Sequence, residues 1–304
     1  MATERYAPPW SLYRLGLLNS EVPELPEVET VKRGLAPVME GQVFGKVTLN
    51  RADLRFPFDA RFKERLEGKT LTKLSRRAKF LQAELSSGDR LFMHLGMSGR
   101  FTIDNKPQGC YVRNTGGTAK HDHVVFEMQD AQGNDGARIT YNDTRRFGFM
   151  ELVAPDETYR LDHIGPEPLS NQFNAPDLRA RLKDKTSKIK ISLLDQRVVA
   201  GLGNIYVCEA LHRARISPKR AAGRLTVSET ETLVGHIKDV LSEAIEAGGS
   251  SLRDFANTDG DLGYFQHRFQ VYGQEGNPCP DCAAPVQRIT QSGRSTFFCG
   301  ACQR

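Results

Sequence analysis

The chain has 304 residues, of which 39% are hydrophobic and 26% charged, and its formal net charge is +5. This length allows two ordinary domains with a small appendage, and the composition excludes an intrinsically disordered protein. Apolar runs stay well below the roughly 20 residues of a membrane-spanning helix, and no secretory cleavage site follows the short apolar run 12–18. We therefore expect a cytoplasmic protein, for which the basic excess is only a weak indication of a polyanionic partner.

The N-terminal segment differs from the rest of the chain. Residues 1–22 have little periodicity and are expected to form an appended leader, either non-native or disordered. A helix is predicted from Pro26, because proline suits a first turn and Glu27 complements the positive helix end. Gly34 or Pro37 is expected to end this helix.

The remaining elements fall into two classes along the chain. Residues 40–153 contain short β-rich runs separated by Gly, Asn and Asp, a pattern typical of a sandwich or barrel. Beyond the Gly/Pro-rich stretch 165–169, helices are predicted at 176–182, 189–199, 205–214 and 227–247. The sequence therefore predicts a β-rich N-terminal domain followed by a helical domain.

A cysteine module ends the chain. Cys279, Cys282, Cys299 and Cys302 form two C-x2-C pairs, which matches a tetrahedral zinc site without an open position. The metal would be structural, and a hairpin is expected between the pairs, with residues 291–294 at its tip. Zinc modules of this kind occur in proteins of many functions, so the module predicts the metal and not the activity.

Four further stretches suggest a site only when they are taken together. Singly, a glycine turn at 201–203 could cap a helix, Met97 could fill a core, and His121 with His123 could be hydrogen-bonded structural residues. In chain order, however, the motifs of residues 23–304 resemble those of the formamidopyrimidine-DNA glycosylase family. The motifs are PELPEVET at 23–30, RRAKF at 76–80, HLGMSG at 94–99, KHDH at 120–123, RRFG at 145–148, GPEPL at 165–169, GLGNIY at 201–206 and the zinc module.

This resemblance implies an α+β multidomain fold. Residues 23–155 would form an N-terminal catalytic β-sandwich with flanking helices, 156–268 a helix-two-turn-helix DNA-binding domain, and 269–304 a β-hairpin zinc finger with one structural Zn2+. The implied activity is base-excision repair: removal of oxidised purines such as 8-oxoguanine and formamidopyrimidines from double-stranded DNA, with AP lyase cleavage by β,δ-elimination. A bacterial monomer, nucleoid-associated through DNA, is the simplest expectation. The related endonuclease VIII, which acts on pyrimidine lesions, lacks the Leu25 and 28–30 pattern.

The resemblance also assigns catalytic roles. Pro23 maps to the family's N-terminal nucleophile, whose secondary amine forms a Schiff base with the damaged nucleotide, and Glu24 maps to its general acid–base carboxyl group. Lys79 matches the residue that supports β-elimination, and Arg294 the one that supports δ-elimination.

DNA contacts are implied for a second set of residues. Met97, Arg145 and Phe147 would fill the gap left by the flipped nucleotide, with Arg145 facing the orphaned cytosine. The segment 250–255 resembles a mobile loop that closes over the base. The remaining implied contacts are His121, Asn204, Arg253, and either Lys185 or Lys190.

Two kinds of departure from the family pattern stand out. Thr144 replaces the usual proline and is expected to loosen the turn that carries Arg145, while Arg253 replaces a frequent lysine. The larger departure is the leader, because an internal Pro23 has an amide nitrogen that cannot attack a sugar. Val22 occupies the family's initiator position, so we interpret residues 1–22 as the product of an upstream start. If they are retained, the alternative is a catalytically silent DNA-binding protein.

Overall fold

The protein is described by a computed structural model that covers residues 22–104, 106–108, 110–111, 119–250, 255–256 and 265–304. The leader residues 1–21 therefore lie outside the described residues. Across the part of the chain that is described, helices combining the length and the apolar character needed to cross a membrane are absent.

Six α-helices and thirteen strands make up the described structure. The helices are α1 Leu25–Met39, α2 Phe62–Leu66, α3 Ala175–Leu182, α4 Ile189–Leu194, α5 Asn204–Arg213 and α6 Val227–Glu246. The strands are β1 Val43–Leu49, β2 Leu71–Arg77, β3 Phe80–Leu85, β4 Arg90–His94, β5 Gly99–Ile103, β6 Lys106–Gln108, β7 Cys110–Tyr111, β8 Asp122–Gln129, β9 Asp135–Asp143, β10 Phe149–Val153, β11 Phe255–Ala256, β12 Gln287–Gln291 and β13 Arg294–Phe298.

Helix α1 begins one residue earlier and ends later than predicted. At its start the side chain of Glu27 accepts a hydrogen bond from the backbone nitrogen of Glu24 at 2.9 Å, which is one half of a capping box. The prediction that Gly34 or Pro37 ends the helix is wrong. Pro37 lies in the last turn, where the missing amide removes a single hydrogen bond, and the helix closes when the Glu40 nitrogen donates to Ala36 O at 3.0 Å.

The N-terminal part contains two antiparallel sheets. One sheet has the order β1-β8-β9-β5-β6 and the other β10-β4-β3-β2. Their inner faces share one apolar core, to which α1 adds Val28, Val31 and Leu35. Buried and half-buried residues alternate along most of β3 and along β5, one strand from each sheet, so that one face of each strand points into this core. The expected mixed fold with N-terminal sheets is confirmed.

The helical part has a second core, which extends into the other parts of the molecule. Leu25 from the first turn of α1 lies in it, as do Val271, Cys279 and Val286 from the C-terminal module. The first turn of α1 therefore contacts the helical part directly, and this contact positions the site described below.

Helix α4 is shorter than predicted, ending at Leu194 and not at residue 199. The side chain of Asp195 accepts a hydrogen bond from the backbone nitrogen of Arg197 at 3.0 Å. This local side-chain bond offers the backbone an alternative to the helical hydrogen bond, so the chain turns after Leu194.

Candidate active site and nucleic-acid interface

Glu24 lies where α1 meets α5. Its side chain is only 4% exposed, and Oε1 accepts a hydrogen bond from the backbone nitrogen of Ile205 at 3.1 Å. The other oxygen, Oε2, is buried without a hydrogen-bond partner among the described residues. One oxygen is therefore held by the helical part while the other remains available to a bound group.

Two glycines of the 201–206 motif allow this approach. A Cβ atom at Gly203 would overlap the carboxyl group of Glu24, and one at Gly201, whose φ is +76°, would crowd Leu25. The backbones also meet, because the Leu25 nitrogen donates to Gly201 O at 3.2 Å. The glycine turn thus packs against the beginning of α1, which is more than a simple helix cap would do.

The carboxyl group of Glu24 has an unusual proton affinity. Burial raises its pKa to about 7, and the neighbouring Glu27 acts in the same direction, while Lys79 and Arg294 lower it. A carboxyl group with this pKa can both donate and accept a proton near neutral pH, as general acid–base catalysis requires.

Glu27 fixes the segment that contains Pro23 and Glu24. Its Oε2 accepts the hydrogen bond from the Glu24 nitrogen, and its Oε1 accepts bonds from the Tyr206 hydroxyl at 2.6 Å and the Ser250 nitrogen at 2.9 Å. Pro23 itself is buried immediately before this network. Sequence reasoning treated Glu27 only as a helix-start residue. No spacing in the sequence indicated its bonds from Tyr206 and Ser250, which lie far from it along the chain.

Lys79 lies in the tight two-residue turn between β2 and β3. The preceding residue, Ala78, has a positive φ of 53°, and its nitrogen donates to the Glu167 carboxylate at 2.6 Å. Glu167 also accepts hydrogen bonds from Arg76 and Arg77, at 2.7 and 3.0 Å. The stretch 165–169 therefore holds the Lys79 turn, a role that sequence reasoning did not assign to Glu167.

Three of the predicted catalytic residues, Glu24, Lys79 and Arg294, lie within electrostatic reach of one another. Burial lowers the pKa of Lys79, with Glu24 raising it and Arg294 lowering it. Arg294 is exposed at the beginning of β13, close to the predicted hairpin tip. The next residue, Ser295, accepts hydrogen bonds through its carbonyl oxygen from Lys190 Nζ at 2.8 Å and Asn204 Nδ2 at 3.0 Å. These bonds tie the Arg294 hairpin to the helical part.

The three predicted gap-filling residues lie on two adjacent loops. Met97 is in the loop between β4 and β5, and Arg145 and Phe147 are in the loop between β9 and β10. The guanidinium carbon of Arg145 lies 5.0 Å from the centroid of the Phe147 ring. The turn is held despite Thr144, because the Arg145 nitrogen donates to Ser98 Oγ at 3.0 Å.

The other predicted DNA contacts differ from one another in their burial. His121 is half-buried at the end of a short 3-10 helix, and its ring centroid lies 6.3 Å from that of His123. Lys185 is half-buried, whereas Lys190 is fully buried and donates a second hydrogen bond to Thr296 Oγ1 at 2.7 Å. Arg253 and most of the predicted mobile loop lie outside the described residues.

The four C-terminal cysteines converge as their spacing predicts. All four Sγ atoms lie within 4.8 Å of one another, with Cys279–Cys302 at 3.9 Å and Cys282–Cys299 at 3.5 Å. Tetrahedral zinc with Zn–S bonds of about 2.3 Å separates its sulfurs by roughly 3.8 Å, so these residues fit one structural zinc ion. His212 Nε2, from α5, lies 3.4 Å from Cys279 Sγ and joins the site to the helical part.

Three family models match the chain in succession. The formamidopyrimidine-DNA glycosylase N-terminal domain matches residues 22–150, the H2TH domain of the same proteins matches 164–256, and the zinc finger found in FPG and IleRS matches 276–304.

Whole-chain relatives and solved structures agree with these matches. Proteins named formamidopyrimidine-DNA glycosylase from Ruegeria pomeroyi and Cereibacter sphaeroides are 56% and 54% identical over 93% of this chain and 100% of theirs. The Lactococcus lactis Fpg in complex with an abasic-site-containing DNA is 37% identical with a TM-score of 0.80, covering 93% of this chain and 100% of that one. MutM (Fpg) from Thermus thermophilus is 40% identical with a TM-score of 0.77, covering 92% and 98%. The chain therefore belongs to the formamidopyrimidine-DNA glycosylase family.

Proposed function

We propose that this protein is a base-excision repair glycosylase that removes oxidised purines from double-stranded DNA and then cuts the strand as an AP lyase. The observation that carries the proposal is the buried Glu24 carboxyl group. One of its oxygens bonds to α5 and the other has no partner among the described residues, directly beside Pro23. The Lactococcus lactis relative binds abasic-site DNA and N7-benzyl-Fapy-dG DNA, which supports the substrate class.

Pro23 supplies the nucleophile in this proposal. Its secondary amine, when unprotonated, forms a bond to C1′ of the damaged nucleotide, and the bond from C1′ to the base breaks with the departing base taking up a proton. Glu24, with its raised pKa, protonates the sugar ring oxygen as the ring opens to an iminium adduct. This chemistry requires a free amine, so the active form begins at Pro23.

Lys79 and Arg294 act on the adduct in the next steps. The iminium acidifies the C2′ hydrogen, whose removal allows the 3′ phosphate to leave by β-elimination, and the 5′ phosphate leaves by δ-elimination. Lys79 supports the first elimination, since it lies within electrostatic reach of Glu24 and burial lowers the pKa of its amine from the ordinary value. Arg294 is exposed on a fixed hairpin, which suits contact with the departing 5′ phosphate.

A further group of residues extrudes the base and binds the DNA backbone. Met97, Arg145 and Phe147 fill the vacated stack, with Arg145 opposite the orphaned cytosine. Lys185 is favoured over Lys190 as a phosphate contact, because the ammonium of Lys190 is buried with acceptors from β13. His121, Asn204 and Arg253 complete the proposed contacts, and the N-terminal, helical and zinc parts at 23–155, 156–268 and 269–304 are the proposed domains.

The zinc site has a structural role in this proposal. Cys279, Cys282, Cys299 and Cys302 would hold the ion, and their four thiolates leave no position for a substrate or water. The ion stabilises a hairpin too small for a core of its own, which keeps Arg294 in place.

Excision assays with the form that begins at Pro23 test the proposal. We expect release of 8-oxoguanine opposite cytosine and of formamidopyrimidines, followed by strand cleavage, and no release by Glu24→Gln. Faster release of oxidised pyrimidines than of oxidised purines would instead support the endonuclease VIII-like alternative. DNA binding without base release or strand cleavage would indicate a catalytically silent DNA-binding protein and overturn the proposal.

A further inference from the structure

We propose that Asp143 is a positioning residue that locks the backbones of the two gap-filling loops together as one rigid unit. The loops are residues 95–98, which contain Met97, and residues 144–148, which contain Arg145 and Phe147. The inference rests on the proposed function, since it concerns how these side chains enter the DNA stack.

The carboxylate of Asp143 reaches both loops. It is completely buried at the end of β9. Its Oδ1 accepts hydrogen bonds from Ser98 Oγ at 2.5 Å and from the Arg145 nitrogen at 3.2 Å. Its Oδ2 accepts bonds from the Gly148 nitrogen at 2.8 Å and the Tyr141 hydroxyl at 3.3 Å. Four donors from both loops and from β9 thus converge on one acceptor-only group.

The loop backbones also touch directly. A Cβ atom at Gly96 would overlap the Gly148 nitrogen and the Phe147 carbonyl carbon. A Cβ atom at Gly99 or at Gly148 would overlap the hydroxyl of Tyr141, which is itself hydrogen-bonded to Asp143. Because the backbones pack this closely, one loop cannot shift without displacing the other.

This arrangement has a consequence for base extrusion. Filling a vacated stack offsets more of the cost of flipping a nucleotide when the loops that carry the filling side chains are already ordered, because ordering them then costs no further free energy. A substitution at Asp143 should therefore impair steps that need the base to leave the helix more than it impairs the elimination chemistry. Asp143→Asn is a specific probe, because asparagine replaces one accepting oxygen with an NH2 group. That NH2 group would face the hydrogen-bond donors that now bond to the carboxylate.

The test compares two substrates under single-turnover conditions, using variants in the form that begins at Pro23. One duplex carries 8-oxoguanine opposite cytosine, and the other a preformed abasic site, from which no base has to be extruded. We expect Asp143→Asn to slow 8-oxoguanine excision at least about 30-fold and abasic-site cleavage less than about 3-fold. Ser98→Ala removes one of the four hydrogen bonds. It should slow 8-oxoguanine excision roughly 5-fold and slow abasic-site cleavage less.

Asp104→Asn is the matched control. Asp104 also accepts a backbone hydrogen bond within the β5–β9 pair, from the Arg138 nitrogen at 2.9 Å, but it lies at the opposite end of these strands from the loops. It should leave both rates within about 2-fold of the parent. Thermal melting verifies that each variant is folded, and Ser98→Ala carries the test if Asp143→Asn does not fold.

The outcomes separate this inference from the proposed function. Equal slowing on both substrates, or no slowing on either, in folded variants of an active parent would overturn the role of Asp143 and leave the proposed function intact. A parent that cleaves neither substrate would overturn the proposed function, and the inference with it.

Discussion

The carboxylate of Glu24 accepts a hydrogen bond from the backbone nitrogen of Ile205 at 3.1 Å. The two residues lie 181 positions apart in the chain, at the start of α1 and in the first turn of α5. The site is therefore built across the N-terminal and helical parts, and the orientation of the carboxyl group depends on both.

Gly203→Ala should displace Glu24. A Cβ atom at this position would overlap the carboxyl group, so either the side chain or the start of α5 has to move. We expect base release to fall roughly 10²-fold, because the general acid leaves its position, while DNA affinity changes little. Single-turnover excision and equilibrium binding to a lesion duplex measure the two quantities.

Gly235→Ala is the control for that substitution. Gly235 lies within α6, where a Cβ atom would have no described atom within 4 Å beyond its own helical turn, so alanine there should leave activity unchanged and raise helix stability slightly. Normal base release by Gly203→Ala would contradict the proposed position of Glu24.

Stability should depend on pH through Glu24. Burial raises the folded-state pKa of this group from an ordinary value of 4.5 to about 7, so between these values the folded protein binds more protons than the unfolded chain. Stability contributed by the protonated group is therefore lost as pH rises from about 4.5 to about 7, by up to about 3 kcal/mol. Urea unfolding at pH 5 and pH 8 should show this loss in the parent and a smaller one in Glu24→Gln. An equal loss in both would contradict it.

Glu167→Gln should loosen the turn that carries Lys79. The carboxylate of Glu167 accepts hydrogen bonds from Arg76, Arg77 and the Ala78 nitrogen. Glutamine keeps the size of the side chain but removes the negative charge that strengthens these bonds. We expect abasic-site cleavage to slow about 10-fold. Glu157→Gln, which alters a carboxylate that accepts a bond from the nearby Ala154 nitrogen, should not slow it. Equal rates in the two variants would show that Glu167 does not position Lys79.

Removing zinc should release the Arg294 hairpin. The C-terminal module packs on the helical core through residues such as Val286. Without the metal, however, four cysteine thiolates this close together would repel one another and destabilise the module. Chelation should make residues 276–304 sensitive to protease and weaken DNA binding at least about 10-fold. Retained protease resistance after verified loss of zinc would contradict a structural role for the metal.

The sequence predicted the features that are local in the chain. The two C-x2-C pairs predicted converging cysteines, and acidic residues at its start with two glycines after its end located α6 to within a residue. The predicted ends of two helices were wrong, because in each case a single residue determined where the helix ended. Pro37 was tolerated inside α1, and the side chain of Asp195 ended α4 early.

The long-range network of the site was not predictable in this way. Glu167, Asp143 and Glu27 each accept hydrogen bonds from distant segments, and no period or spacing in the sequence pairs them. The resemblance identified the residues that are proposed to contact DNA. The structure identified the residues that position them through hydrogen bonds. Lys190 illustrates the difference, because its fully buried ammonium bonds to β13.

Borohydride trapping on an 8-oxoguanine duplex tests the central claim, that the amine of Pro23 is the nucleophile. The comparison uses the 304-residue chain and a form that begins at Pro23, with intact mass measured before and after reaction to detect trimming. We expect a covalent adduct only with the form that begins at Pro23, because an amide nitrogen has no available lone pair. Equal trapping by the untrimmed 304-residue chain would contradict the account.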